Sequence, residues 1–364
     1  VDTQIRIDQI IPSIVRYDAV SNHTFAIQKI LQEMGFLSEI YVDIIGPGCE
    51  NRVRELSELE QYNTNDRILI YQYSIGSRAA NYFMAAKGQK IVDYHNIAPA
   101  HFFTKWLPPL AAESILGRSQ MAPLSKISTF AFADSQYNAD ELIDAGFNKV
   151  EVLPVLIDIN NLKEEPDKNL LSSLKSSSKS KGAKWLFVGQ IAPHKAQHNL
   201  IKSFYCYLKA YDTEAHLYIV GKEMGNLYRD AVMNFVDEIG IAESVTFTGS
   251  VTSSELISYY KGCDVFVSLS EHEGFCVPII EAMNQEIPVV AYGQAAVPET
   301  LGDAGIILNN NDPYEIAAAV NLVLNDPLLR EDLIARGKGN AERYSLHDTE
   351  EKFRSIIRNI VTKQ

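Results

Sequence analysis

Val265-Phe266-Val267-Ser268-Leu269-Ser270-Glu271-His272-Glu273-Gly274-Phe275-Cys276-Val277-Pro278-Ile279-Ile280-Glu281-Ala282 changes character twice along its length. It opens on an apolar run, passes through a short polar turn with one glycine, and resumes apolar residues behind Pro278. An unbroken apolar run suits a strand covered on both faces, as strands of a parallel sheet are. Proline is favoured in the first turn of a helix, where its missing N–H would have been unpaired and its φ is already helical. The stretch therefore predicts strand, loop and helix, the repeating half of a βαβ unit.

Working outward, the same rhythm recurs. Apolar runs rich in Val, Ile and Tyr predict strands at 5–10, 39–44, 67–73, 90–94, 129–133 and 150–153, and again at 185–188, 215–220, 244–248, 265–268, 288–291 and 305–308. Helical periodicity at 22–34 and 137–145 fills gaps between the first set. The expectation is an α/β chain with two Rossmann-like, doubly wound parallel sheets in series. Between them, 163–184 holds six Lys, six Ser and three acidic residues, so it reads as an exposed connector with room for one short helix. The predicted boundaries are 1–162, a connector at 163–183, and 184–345. Helical patterns at 313–324, 327–344 and 346–361 close the chain, and the last has no strand after it.

A length of 364 residues fits two domains at the usual ~100–200 residues each. With 33 Lys and Arg against 46 Asp and Glu, the formal charge is -13, which disfavours a broad nucleic-acid surface but not a local pocket for a small anion. Cys49, Cys206, Cys263 and Cys276 lack the close pairing of zinc sites or redox dithiols, which predicts a reduced, cytoplasmic setting. The first residues lack the pattern of a signal peptide, and no run approaches the ~18 apolar residues of a spanning helix.

In open parallel sheets ligands gather outside the carboxyl ends of the strands. Behind Ser270, the N–H groups of Gly274, Phe275, Cys276 and Val277 precede a helix and suit a phosphate or diphosphate. Glu273 and Glu281 bracket that turn. Carboxylates do not attract a diphosphate, so they are expected to accept from vicinal hydroxyls of a sugar or ribose; the plain alternative is a solvated loop acid and a helix-dipole partner. The loop Gly189-Gln190-Ile191-Ala192-Pro193-His194-Lys195 follows an earlier strand and offers a cation, although an isolated surface Lys is ordinarily just solvated. Gly249-Ser250-Val251-Thr252 ends another strand and can present backbone groups to a base edge.

Taken together, these elements resemble the retaining glycosyltransferases of the GT-B fold, specifically glycosyltransferase family 4. The resemblance rests on the Glu-x7-Glu element from Glu273 to Glu281, the Phe-Val-Gly loop with Lys195, Ile219-Val220-Gly221, Ile287-Pro288-Val289-Val290-Ala291, and Pro298-Glu299-Thr300-Leu301-Gly302-Asp303-Ala304-Gly305. It implies two Rossmann-like domains facing a cleft, with the 346–364 helix packing back on the first. By similarity, Lys195 and Gln190 meet the donor diphosphate, the amides of Gly274 to Val277 hold phosphates and sugar, and Glu273 binds sugar hydroxyls. Glu281 binds the ribose, Gly249, Val251 and Thr252 flank the base, and His95, in Asp93-Tyr94-His95-Asn96, faces the donor sugar. For His95 the bland reading is a hydrogen-bonded histidine at a strand end.

The chain departs from the family pattern in three places: Gln190 where Arg is usual, Asp18-Ala19-Val20-Ser21-Asn22-His23 where many relatives carry a Gly-rich loop, and Cys276 where Gly is common. The implied reaction moves a hexosyl group, with retention, from a nucleoside-diphosphate sugar to a saccharide or lipid-linked saccharide in polysaccharide biosynthesis. The base-rate donor is UDP-glucose-like, with GDP-mannose next. No metal, cofactor or covalent nucleophile is implied, and the expected assembly is a monomer or weak dimer, cytoplasmic or peripheral at the inner membrane face. The apolar segment 102–110 reads as buried packing, with Pro108 and Pro109 interrupting any amphipathic face, or else as a lid or shallow membrane contact. Three rival readings stand beside transfer. A Rossmann dehydrogenase lacks its Gly-x-Gly-x-x-Gly after the first strand; a sugar-nucleotide epimerase shares the fold; and a non-catalytic nucleotide-sugar-binding module is compatible with Gln190.

Overall fold

In the computed structural model, which describes residues 5–15, 18–62, 64–156, 164–176 and 182–362, the apolar runs form two separate parallel sheets. The first contains β1 (Arg6–Ile14), β2 (Ile40–Ile45), β3 (Arg54–Glu55), β4 (Arg67–Tyr73), β5 (Gln89–Tyr94), β6 (Phe130–Ala133) and β7 (Val150–Val152), in the order β3-β2-β1-β4-β5-β6-β7. The second contains β8 (Lys184–Val188), β9 (His216–Val220), β10 (Val245–Gly249), β11 (Val265–Ser268), β12 (Val289–Tyr292) and β13 (Gly305–Leu308), in the order β10-β9-β8-β11-β12-β13. Each sheet reverses its winding direction beside its first strand, between β1 and β4 and between β8 and β11. Those reversals are where doubly wound sheets open a crevice at the carboxyl ends of the strands.

Two compact units carry these sheets: Val1–Thr104 with Pro108–Ile157 and Leu346–Gln364, and Asp158–Ser345 with Lys105–Leu107. The helix Leu346–Val361 belongs to the first unit because of its apolar stripe. Phe353, Ile356, Ile357 and Ile360 are buried there with Phe132, Leu153 and Leu156, and the Phe132 and Phe353 rings lie 5.8 Å apart.

Three local outcomes differ from the sequence reading. β1 continues through Pro12 to Ile14. Ile7 and Gln9 donate their N–H groups toward the β2 side, so the N–H that proline lacks would face β4, where pairing has already ended at Ile10 opposite Tyr71. Pro108 and Pro109 do not interrupt a helix but open one, Pro108–Ile127, in the first turn, where proline removes no intrahelical bond. The connector is not wholly exposed: its helix Lys168–Ser176 docks on the helix Ser253–Gly262, burying Leu174, and Asp167 N–H donates to Ser254 O at 3.1 Å. Among the described residues no helix is long and apolar enough to cross a membrane.

Candidate functional site

In the second unit the winding reversal between β8 and β11 brings two loops together. The loop after β8 ends in a short 3-10 turn, Pro193–Lys195, and a left-handed Ala196 before the helix Gln197–Ala210. The loop after β11 leads through Glu271 to Cys276 into the helix Val277–Asn284. A backbone bond from Glu271 N to His194 O, 2.8 Å, ties one loop to the other. Lys195 and Glu273, 78 positions apart, thereby meet.

Their meeting is direct. Lys195 Nζ donates to both carboxylate oxygens of Glu273 at 2.6 Å, in a pair whose side chains are 18% and 8% exposed. Burial alone would push the Lys195 ammonium down, but the Glu273 carboxylate and Cys276 act the other way and its pKa is raised. The lysine is a permanent cation. Charge-assisted bonds of this length are among the strong ones, and removing one partner would leave a largely buried charge.

Cys276 stands at the N-cap of the helix with φ 68°, a left-handed conformation costly for a residue with a Cβ. The turn it makes leads into the first N–H groups of the helix. Those of Phe275, Cys276 and Val277 bond to no group among the described residues, which is the arrangement that receives anions at helix N-termini. The loop is braced from behind: Thr300 Oγ1 donates to Phe275 O, Ala296 N donates to Glu273 O at 3.2 Å, and the Phe275 ring meets Tyr344 edge-on.

Glu281, two-thirds of the way along that helix, is partly exposed. One of its oxygens accepts from the Tyr260 hydroxyl at 2.8 Å. Gln190 contributes no charge, and its carbonyl accepts from Gln197 Nε2 at 2.9 Å. At the end of β10, Gly249 O accepts from Gly221 N at 3.0 Å. Thr252 is the N-cap of the helix Ser253–Gly262 in a reciprocal capping box with Glu255, so its N–H and hydroxyl are engaged. Of that trio, Val251 makes no backbone hydrogen bond among the described residues. Gly221 is demanded by close approach: with φ 139°, a Cβ there would lie 2.1 Å from Gly189 O.

His95 belongs to the first unit, and its surroundings were not legible in the sequence. Its Nδ1 faces Asp134 at 3.0 Å and its Nε2 faces Gln72 Oε1 at 2.5 Å. Two acceptors on two nitrogens require a doubly protonated ring. Burial opposes that charge, but Asp134 and Asp93 prevail and raise the pKa to about 9. The sugar contact expected of His95 is thus left without a free ring nitrogen. Nearby, His23 Nε2 meets Asp93 Oδ2 at 3.0 Å, while its Nδ1 accepts from Leu156 N–H at 2.9 Å. The accepting Nδ1 fixes the proton on Nε2 in the neutral ring. In the trio His23, Asp93 and His95, close enough together to ligate an ion, every imidazole nitrogen already has a protein partner.

Asp18 settles the fate of the 18–23 segment. It is the N-cap of the helix Ala19–Glu33, its carboxylate accepting from Ser21 N and Ser21 Oγ at 2.9 Å. The protein's own carboxylate occupies the position where an anion would meet that helix.

Residues 172–340, a little under half of the chain and most of the second unit, match the family model described as glycosyl transferases group 1. Among curated proteins, the chain is 32% identical over 161 residues to the O-antigen chain mannosyltransferase B of Escherichia coli, covering 44% of this chain and 42% of that one. It is 30% identical over 183 residues to the D-inositol 3-phosphate glycosyltransferase of Corynebacterium urealyticum, covering 48% and 43%. The matched parts span less than half the length of these relatives. The crystal structure of Anabaena Alr3699/HepE in complex with UDP and glucose superposes with a TM-score of 0.75 over 97% of this chain and 100% of that one, at 15% identity. The chain has the fold of the GT-B glycosyltransferases.

Proposed function

We propose that the protein transfers a hexosyl group from a nucleoside-diphosphate sugar to a saccharide or lipid-linked saccharide, with retention at the anomeric carbon and without a metal. The observation carrying this reading is the Lys195–Glu273 pair set before the unpaired N–H groups of Phe275, Cys276 and Val277. A diphosphate entering there takes over the lysine ammonium and those N–H groups. Glu273, released from Lys195, then accepts from sugar hydroxyls, and Glu281 accepts from the ribose. In the transition state negative charge grows on the departing diphosphate while the sugar ring becomes oxocarbenium-like. Preoriented donors and a fixed cation stabilise that charge without reorganisation. The departing phosphate oxygen, held on the same face, takes the acceptor's proton, so no protein base is required. The alanine variant of Lys195 should lower turnover on the order of 10²–10³-fold.

The relatives named for mannosyl transfer and the neighbour bound to UDP and glucose leave both GDP-mannose and UDP-glucose as donors to try. The test incubates purified protein with each, in EDTA, with and without oligosaccharide acceptors. Acceptor-dependent release of nucleoside diphosphate and an α-linked product from an α-linked donor support transfer. Conversion of the donor into an epimer, or binding without turnover on any acceptor, overturns it.

A further inference from the structure

We propose that Tyr260 is a positioning residue that aims one oxygen of Glu281 at a nucleotide ribose and thereby makes the site selective for ribonucleotides. This rests on the reading of Glu281 as the ribose acceptor.

The geometry begins with a division of labour on one carboxylate. Glu281 Oε2 accepts the Tyr260 hydroxyl at 2.8 Å, while Oε1 bonds to no group among the described residues. The residue is partly exposed, so Oε1 can be reached. Tyr260 itself is 1% exposed. Its ring leans on Phe266 with centroids 6.2 Å apart, and its hydroxyl reaches weakly to Pro278 O, 3.4 Å. A ring held on all sides cannot swing, so the hydroxyl is a fixed donor. Burial first, and the neighbouring carboxylate second, push the phenol well above its ordinary range, keeping the O–H intact at any working pH.

A carboxylate on the flexible arm of a glutamate has several rotamers, and a ligand that needs one of them loses affinity to the others. Tyr260 selects one before the ligand arrives. A hydrogen bond from a ribose hydroxyl to a charged, preoriented oxygen corresponds to roughly 10–100-fold in affinity. Without the tyrosine hydroxyl most of that preference should go.

The experiment measures calorimetric affinities of UDP and GDP and of their 2′,3′-dideoxy analogues for the full chain and for Tyr260→Phe, Tyr259→Phe and Glu281→Gln. Tyr259 is the control, since its ring faces Tyr218. The expected result is a ribose preference of at least tenfold in the parent chain and in Tyr259→Phe. It should be cut about tenfold in Tyr260→Phe with dideoxy affinity unchanged, and lost in Glu281→Gln. A merely structural tyrosine would weaken ribose and dideoxy ligands alike, and that outcome overturns the proposal. A preference retained in full by Tyr260→Phe but lost in Glu281→Gln overturns the role of Tyr260 and leaves the ribose reading standing. No ribose preference in the parent chain overturns both. Should Tyr260→Phe melt early, the comparison is made at a temperature well below its transition: dideoxy affinity unchanged with the preference reduced supports the proposal, and parallel losses overturn it.

Discussion

Lys195 Nζ lies 2.6 Å from each carboxylate oxygen of Glu273, so this cation is already neutralised before any anion arrives. Binding a diphosphate must compete with that carboxylate. The Glu273→Gln substitution removes the competing charge but keeps the side-chain shape. It should tighten bare UDP or GDP by about tenfold, roughly 1.4 kcal/mol, while lowering transfer at least 100-fold because sugar hydroxyls lose their charged acceptor. Titration calorimetry on the nucleotide alone, beside a turnover assay, separates the two effects. Weaker binding of the bare nucleotide would mean that Glu273 holds Lys195 in place for the phosphates.

Cys276 predicts an inverted stability order. Its φ of 68° costs any residue with a Cβ about 1–2 kcal/mol. In Cys276→Ala the strain stays and the buried sulfur is lost, whereas Cys276→Gly loses more atoms but also the strain. The glycine variant should therefore be at least as stable as the alanine variant, and Cys276→Val, branched at Cβ, should be the least stable of the three. Thermal melts of the three variants check the order, and an alanine variant clearly above the glycine one refutes it.

What could be read in the sequence follows from which interactions are local. Strands such as β4 and β11 are legible because burial on both faces leaves an unbroken apolar run. The two-residue β3, Arg54–Glu55, carries no such run and could not be seen. Lys195 and Glu273 were each recognisable as candidate ligand groups from their place after a strand. That they pair depends on β8 and β11 being neighbours, a property of strand order. Tyr260 gave no signal at all: in sequence it is one aromatic residue of a helical pattern, and only the packing of two helices sets its hydroxyl on Glu281. The same holds for Asp134, brought to His95 by the adjacency of β5 and β6.

His95 makes stability depend on pH. Its folded pKa of about 9 lies above the ordinary value of about 6.5 in an unfolded chain. The folded state therefore binds this proton more tightly, and the resulting stabilisation is fully present below pH 6.5, declines between 6.5 and 9, and is gone above. The full amount is on the order of 3 kcal/mol at 1.36 kcal/mol per pH unit. Denaturation profiles from pH 6 to pH 10 should show the parent chain losing stability across that window and the His95→Gln variant, less stable at pH 6, losing much less. Equal slopes in both would show that the ring is neutral in the folded protein.

The helix Leu346–Val361 gives the sharpest test of how the first unit is completed. Phe353 is fully buried, its ring 5.8 Å from that of Phe132 on β6, in a cluster that also takes in Ile7, Ile68 and Ile91 from neighbouring strands. Because the sheet is parallel, both of its faces must be covered, and Phe353 covers one of them beside Phe132. Truncation to alanine should cost about 3–5 kcal/mol, combining lost transfer energy with an unfilled cavity. The loss falls on the first sheet, whereas the residues proposed to bind UDP or GDP lie in the second unit. Phe353→Ala should therefore lower the melting transition of the first unit and speed amide exchange in β5 and β6, leaving exchange in β8 and β11 at the parent rate. Uniformly faster exchange through both sheets would show instead that the two units unfold as one.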